Sequence, residues 1–190
     1  MGIRLAVLED APALADIYRP YVEDTAISFE LAAPSETMMR ERMSRVMGKL
    51  PWLVCEEDGA LAGYAYASPH HDRAAYQWSV DTSVYLRRGL QRRGLGRALY
   101  SELFTLLVQQ GYYTAFAGIS LPNAASVGLH ESFGFRAGGR VSQGRIQIRR
   151  LARCGLVAEA AEELRGAYSE AFESYLARMK NRRAFARRSE

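Results

Sequence analysis

Apolar residues recur at helical spacing in some stretches and crowd into short strand-like runs in others. Over residues 95–110, Leu99, Leu103, Leu106 and Leu107 follow one face of a 3.6-residue period, and Gly111 supplies the stop. Met39, Met43 and Met47 are spaced for one helical face behind Pro34-Ser35-Glu36, which opens a second helix, so these methionines are expected in the core. Asp10 followed by Pro12 starts a further helix reaching about Tyr21, because Asp can accept from the free amides and Pro tolerates the first turn. Residues 3–7, 52–57, 61–67, 77–86 and 114–120 read as strands. Asp58-Gly59 supplies the positive φ values of a tight hairpin between the second and third of these. Pro122-Asn123 opens a short helix that ends at Gly134. The order β, α, α, β, β, β, α, β, α predicts a mixed α+β fold, a central sheet flanked by helices, with no repeat or low-complexity segment.

The 190 residues, 48% hydrophobic and 24% charged, suit one domain with one sizeable core. The start, Met1-Gly2-Ile3-Arg4-Leu5-Ala6, has no apolar leader, and Ala6 stands where N-myristoylation prefers Ser or Thr. No apolar run approaches the roughly 20 residues of a membrane span. Cys55 and Cys154 are far apart and make no framework of bridges. A cytoplasmic protein with no membrane partner is expected. The net charge of +4 could suggest nucleic acid, but it has a local origin. Arg178, Lys180, Arg182, Arg183, Arg187 and Arg188 against Glu190 give residues 178–190 a charge of +5, which leaves −1 for residues 1–177. That tail lacks the interleaved aromatics of a stacking platform and reads as a solvated terminus, so no nucleic-acid partner is expected.

The chemically loaded segment is Gln91-Arg92-Arg93-Gly94-Leu95-Gly96-Arg97, between a strand and the long helix. Glycines let successive amides turn toward one phosphate, and the helix dipole with Arg92, Arg93 and Arg97 favours its charge. A nicotinamide fingerprint would want a small residue where Leu99 stands, and a nucleotide P-loop would want Gly-Lys-Ser or Gly-Lys-Thr. Neither fits. The segment instead resembles the Gln/Arg-x-x-Gly-x-Gly/Ala motif of the GNAT N-acetyltransferase family. The resemblance implies the acyl-CoA N-acyltransferase fold and acetyl-CoA as co-substrate, its pyrophosphate held by Gln91, Arg92, Arg93, Gly94, Leu95, Gly96 and Arg97. It further implies a pantetheine arm along the backbone of Val84, Tyr85 and Leu86, with Asn123 on the following unit, and a strand splayed from the next so that the thioester lies between them. It implies no metal.

Blocks dispersed over residues 3 to about 137 are similar to the phosphinothricin and methionine sulfoximine acetyltransferase subgroup. They include Pro51-Trp52-Leu53-Val54, Gly63-Tyr64-Ala65-Tyr66-Ala67, Ser83-Val84-Tyr85 and Leu121-Pro122-Asn123 with Ser126, His130 and Glu131. This likeness implies acetyl transfer to the primary amine of a small amino-acid-like substrate. Asp81 stands where the subgroup has a Glu proposed as general base; being one methylene shorter, it suggests proton transfer through a water. His130 stands where most of the family places a Tyr that protonates the departing thiolate, and packing is its other reading. Arg73 and Tyr76 match the subgroup's Arg-x-Ala-Tyr, the guanidinium suited to a substrate carboxylate, with Phe29 as an apolar wall. His70 and His71 have no third ligand at metal spacing and are expected on the surface. A homodimer is implied by the family. The alternatives are a GNAT enzyme for another amine, such as an antibiotic or a protein N-terminus, or an impaired module that only binds acetyl-CoA.

The resemblance breaks after Gly134-Phe135-Arg136. The subgroup continues to a motif close to Gly-Tyr-Lys-x-Gly-x-Trp-x-Asp-Val-Gly-Trp-Trp, where this chain has residues 145–157 without it. Suppose ATA at Ile146, CAA at Gln147, ATT at Ile148, CGG at Arg149, CTG at Leu151, CGA at Arg153 and TGT at Cys154. Add GGG at Gly155, CTG at Leu156 and GTG at Val157. Read one base forward, these codons give Tyr-Lys-Phe-Gly, then Trp, then Asp-Val, then Gly-Trp-Trp. The expectation is a one-base frameshift between Arg136 and Ile146, with residues 1–140 as the acetyltransferase domain and 141–190 as a divergent segment. That segment holds a helix striped by Leu164, Tyr168, Phe172, Tyr175 and Met179 and then the basic tail. In this frame the sheet would lose its last one or two strands. Resequencing the coding DNA checks the frameshift: codons at these positions unable to encode the shifted motif would refute it.

Overall fold

The computed structural model describes residues 1–28, 30–141 and 145–151. Among the described residues, seven strands form one sheet: β1 (Gly2–Leu5), β2 (Trp52–Glu57), β3 (Ala60–Pro69), β4 (Ser79–Leu86), β5 (Thr114–Ser120), β6 (Arg136–Val141) and β7 (Arg145–Leu151). Their order in space is β1-β2-β3-β4-β5-β7-β6. Every neighbouring pair is antiparallel except β4 and β5. Four helices complete the fold: α1 (Ala11–Glu23), α2 (Glu36–Val46), α3 (Leu95–Gln109) and α4 (Ala124–Ser132). The parallel pair needs a crossover, and α3 supplies it.

The sheet is covered on both faces, which is why Trp52, Leu53, Val54 and Cys55 are all buried rather than alternating. On one face Leu53, Ala65, Ala67 and Val80 pack against Leu95, Leu99, Leu103, Leu106 and Leu107 of α3. On the other, Trp52, Val54 and Tyr64 meet Leu14, Ile17 and Tyr18 of α1 and Met39 and Met43 of α2. The methionines are thus in the core, as their spacing predicts. Asp58 and Gly59 take φ values of 51° and 76° and close the β2–β3 hairpin.

Two local expectations change. Asp10 does not cap α1; its carboxylate accepts from the Arg4 guanidinium at 2.6 and 2.8 Å and from the Val7 amide at 2.8 Å. A charged fork on the neighbouring strand outcompetes the helix amides. Ser35, by contrast, caps α2 by accepting from the Met38 amide at 3.2 Å.

The second change concerns the sheet's far edge. β7 pairs with β5 along its whole length, from Thr114↔Leu151 to Ser120↔Arg145, and β6 pairs with β7. The present frame therefore does not leave the sheet short of its last strands. Ladder pairing uses the amide and carbonyl that every residue but proline carries, so a strand can form here without the subgroup's motif. The sheet also continues past residue 140. The expected helix of residues 156–188 and the basic tail lie outside the described residues, as does Cys154.

Gly63 shows how tightly the strands near the site are set. A Cβ built there would come within 2.5 Å of Leu86 Cδ2 and 2.7 Å of the Tyr85 carbonyl oxygen, whereas one at Gly48 would meet nothing within 4 Å. Gly63→Ala is expected to destabilise the fold by about 1–3 kcal/mol through overpacking, and Gly48→Ala to leave it within about 0.5 kcal/mol. Chemical denaturation of the two variants measures both.

Candidate active site

The site begins where two strands part. β4 and β5 pair only at Ser79↔Thr114, Val80↔Ala115 and Asp81↔Phe116, and the Thr82 hydroxyl adds one last link to the Phe116 carbonyl at 3.2 Å. Beyond that point β4 stays on β3 while β5 runs along β7. The Arg87 amide turns toward β3, donating to the Ala62 carbonyl. Strand alternation therefore turns the amides and carbonyls of Val84 and Leu86 into the gap. At Leu86 the phenol of Tyr21, from α1, meets both groups, donating to the carbonyl at 2.6 Å and accepting from the amide at 3.3 Å. Of the strand residues the resemblance implies, Val84 and Leu86 thus turn their main chain toward the gap, while Tyr85 turns its own toward β3, opposite Tyr64; Tyr21 was not among the residues singled out from sequence.

At the wide end of the gap, the segment after β4 turns through positive φ at Gly89, Arg92 and Gly94, the last at +80° as the residue before α3. Gly94 accepts the first helical bond, from Ala98, so the amides of Leu95, Gly96 and Arg97 precede the first donor of the ladder and have no acceptor within the helix. Gly96 lies where α3, α4 and the end of β4 converge: a Cβ there would sit 3.3 Å from Leu129 Cδ2 and 3.7 Å from Leu86 Cδ1. Gln91 folds back, its Oε1 accepting from the Gly89 amide at 3.0 Å. Of the arginines, Arg92 is exposed, Arg97 lies 5.7 Å over the Phe133 ring, and Arg93 is paired with Glu57 at 2.9 Å. Arg93, expected to face a pyrophosphate, thus clamps the loop to β2. Asn123 caps α4 through its Oδ1, which accepts from the Ser126 amide at 3.1 Å.

Asp81 lies at the fork, facing the α1 and α2 side. It is joined by a residue that sequence reasoning assigned to the surface. His70 Nδ1 is 3.0 Å from Asp81 Oδ1, and the imidazole side chain is only 10% exposed. Its ring stacks on Phe116 with centroids 3.9 Å apart and planes 12° apart, and its neighbours are Tyr76 at 5.6 Å and His71 at 4.6 Å. His70 is two residues beyond Ser68, the β3 partner of Asp81, which places both on one face. The signal was present in that register, but a connection of nine residues hid it. Tyr76 is thereby brought to the site. Arg73 precedes the turn at residues 74–76 and is exposed, with no side-chain hydrogen bond or ion pair among the described residues. Phe29 lies outside the described residues. Next to it, Glu30 accepts two bonds from Arg42 at 2.7 Å and one from Tyr18 at 3.0 Å, and Arg42 holds its carboxyl below the usual carboxylate range.

His130 is buried at 3% exposure with both ring nitrogens engaged. Nδ1–H donates to the Ser126 carbonyl at 2.7 Å, so Nε2 accepts from the Tyr100 phenol at 2.9 Å. Burial, partly opposed by the Ser126 bond, lowers its pKa and keeps it neutral. This is the geometry of a packed imidazole. Tyr100 is itself buried, its pKa raised by desolvation and partly brought back by Thr82, whose hydroxyl donates across the fork to Phe116, so the polar groups reach from His130 to the fork.

The Acetyltransferase (GNAT) domain family matches residues 3–146. The chain belongs to this family. Among GNAT relatives, it is 39% identical over 137 residues to a phosphinothricin N-acetyltransferase of Streptomyces viridochromogenes, covering 72% of this chain and 75% of that one. It is 33% identical over 144 residues to an L-methionine sulfoximine/L-methionine sulfone acetyltransferase of Salmonella typhimurium, covering 75% and 84%. The structure of a GNAT phosphinothricin acetyltransferase from Sinorhizobium meliloti in complex with AcCoA matches with a TM-score of 0.74 at 32% identity, covering 80% of this chain and 88% of that one. Among the described residues there is no cluster able to hold a metal ion and no helix long and apolar enough to cross a membrane.

The buried chain sets a stability prediction. Because the folded pKa of His130 is depressed, the unfolded chain binds a proton more readily, so stability is fully present above the unfolded value near 6.5 and falls as pH drops below it. Melting temperature measured from pH 7.5 to 5.5 is expected to fall, and less steeply in His130→Asn. Tyr100→Phe leaves Nε2 without a donor and is expected to destabilise by about 1–3 kcal/mol.

Proposed function

We propose that this chain transfers the acetyl group of acetyl-CoA to the primary amine of a small amino-acid-like substrate, of the phosphinothricin or methionine sulfoximine and sulfone type. The observation that carries the reading is the fork: β4 leaves β5 at Asp81, with the glycine loop beyond one end and a carboxylate facing the other helix layer. The backbone of Val84 offers an amide and a carbonyl to a pantetheine arm, as does that of Leu86 where the arm takes the place of the Tyr21 phenol, and the first amides of α3 with Arg92 and Arg97 offer positive charge to a pyrophosphate. The donor set suits acetyl-CoA, which when bound supplies an activated acyl thioester. The acceptor comes from the opposite face, where Asp81, Tyr66, Ser83 and the segment of residues 70–78 lie. Arg73, exposed and unengaged among the described residues, is the guanidinium for the substrate carboxylate, with Tyr76 beside the imidazole and Phe29 kept only as the apolar wall that the resemblance implies. His130 enters as the residue that holds Tyr100 at the fork. A cytoplasmic setting and, on the strength of the family resemblance, a homodimer accompany the reading.

Release of coenzyme A thiol from acetyl-CoA on addition of methionine sulfoximine tests the reading directly. Saturable release above the hydrolysis rate is expected. Acetyl-CoA binding without release to any amine would leave a binding module in its place. Arg73→Ala is expected to raise KM for amino-acid substrates about tenfold or more, the value of one charge-assisted bond of roughly 1.5–3 kcal/mol, while simple amines are little changed.

A further inference from the structure

We propose that His70, oriented by Asp81, is the base that accepts the substrate's proton. The assignment rests on the acetyl-transfer reading above and names a residue for one of its steps. Asp81 is one methylene shorter than the Glu of the resembling subgroup, and the structure shows what stands beside it: the imidazole of His70, with Nδ1 3.0 Å from Oδ1. A carboxylate beside Nδ1 fixes the proton there and leaves the Nε2 lone pair as the basic position. Nε2 has no hydrogen bond among the described residues. The ring is held on Phe116, the strand partner of Asp81, and edge-on by Tyr76, so its plane is set by three elements. The titratable groups facing it are Asp81 from β4, Tyr76 from the turn at residues 74–76 and His71 from its own segment. The carboxylate is 42% exposed against 10% for the imidazole, which makes the imidazole the more enclosed of the pair.

The step balances as follows. The substrate ammonium gives one proton to Nε2, and the Asp81 carboxylate stabilises the imidazolium that results. The freed nitrogen pair attacks the thioester carbonyl; the C–N bond forms and the C–S bond breaks, the bonding pair leaving on sulfur. The nitrogen's second proton passes to the thiolate, and the imidazolium returns its proton to water. Ammonium and thioester become amide, thiol and one released proton. No redox change and no further reactant are needed.

The test is kcat as a function of pH for the full chain, with acetyl-CoA and methionine sulfoximine, in wild type, His70→Gln, His70→Gly and Asp81→Asn. Wild-type kcat is expected to rise with pH along a limb that requires His70. His70→Gln should lower the plateau by about 10²–10⁴-fold, leave KM for acetyl-CoA unchanged, and replace that limb with one following the amine's own ionisation. Added imidazole should restore part of the activity of His70→Gly. Asp81→Asn should keep the limb but lower the plateau, because the imidazolium loses the carboxylate that orients and stabilises it. Wild-type kcat and an unchanged limb in His70→Gln would overturn the assignment while leaving the acetyl-transfer reading intact. A lowered kcat with the limb retained and no imidazole rescue would do the same, reducing His70 to a packing residue. A wild-type chain that binds acetyl-CoA but acetylates no amine would remove both.

Discussion

The structure depends on a constraint of main-chain pairing: a strand that lets go of its neighbour inside a covered sheet must find partners elsewhere. β4 and β5 separate after Asp81 and Phe116, which would strand the amides and carbonyls of both. β5 is kept in place from its other side, where β7 pairs with all seven of its residues. β4 is kept by β3, through a register running unbroken from Pro69↔Val80 to Gly63↔Leu86. The gap is therefore held open by two intact ladders, and only the groups of β4 and β5 that face it remain to be met. Tyr21 meets those of Leu86. The last strands are thus part of the site's construction although they contribute no catalytic candidate.

The two faces divide the chemistry. Val80 and Thr82 are buried toward α3, with Val84 and Leu86 packed on that same side, and the glycine loop leads into that helix. Asp81, Ser83 and Tyr85 alternate to the other side. There Tyr85 sits between Tyr18 and Tyr21 at 4.8 and 5.2 Å, and Trp52 stacks on Tyr66 at 4.2 Å. A donor of acyl groups and an acceptor amine can approach from opposite sides of one sheet without competing for space. The loop that follows α1 is drawn to the same place, since Ser120 at the end of β5 donates to the Ile27 carbonyl at 3.0 Å.

What the sequence made legible was local or periodic. The leucines of α3, the methionines of α2, the Asp58-Gly59 hairpin and the glycines before α3 each follow from a rule about neighbours a few positions apart. The fork and the loop came from resemblance to the family. The residues that escaped are through-space pairs. Arg93 meets Glu57 across 36 positions, Tyr21 meets Leu86 across 65, and Tyr100 meets His130 across 30. Periodicity tells which face a side chain takes but not which partner waits there. Asp10 shows the same gap at short range: its position before Pro12 suits a cap, and only the adjacent β1 guanidinium of Arg4 explains why its oxygens turn away.

The two histidines make the distinction sharpest, because the chemistry of the residue is identical and only the partners differ. His130 lies edge-on to Tyr100 and Phe135, donates from one nitrogen and accepts at the other, and is neutral because burial penalises its charged form. Protonating it would force Nε2 to donate toward a phenol that is itself donating, so the Tyr100 bond would have to reverse or break. His70 has one nitrogen committed to a carboxylate, and protonation at the other strengthens that bond instead of breaking it. An imidazole that gains a favourable partner on charging can cycle protons; one that loses a partner on charging serves as a fixed strut. On that argument His70, expected on the surface as a loop residue without a third metal ligand, suits the proposed chemistry, and of the two readings of His130, thiolate protonation and packing, the partners favour packing.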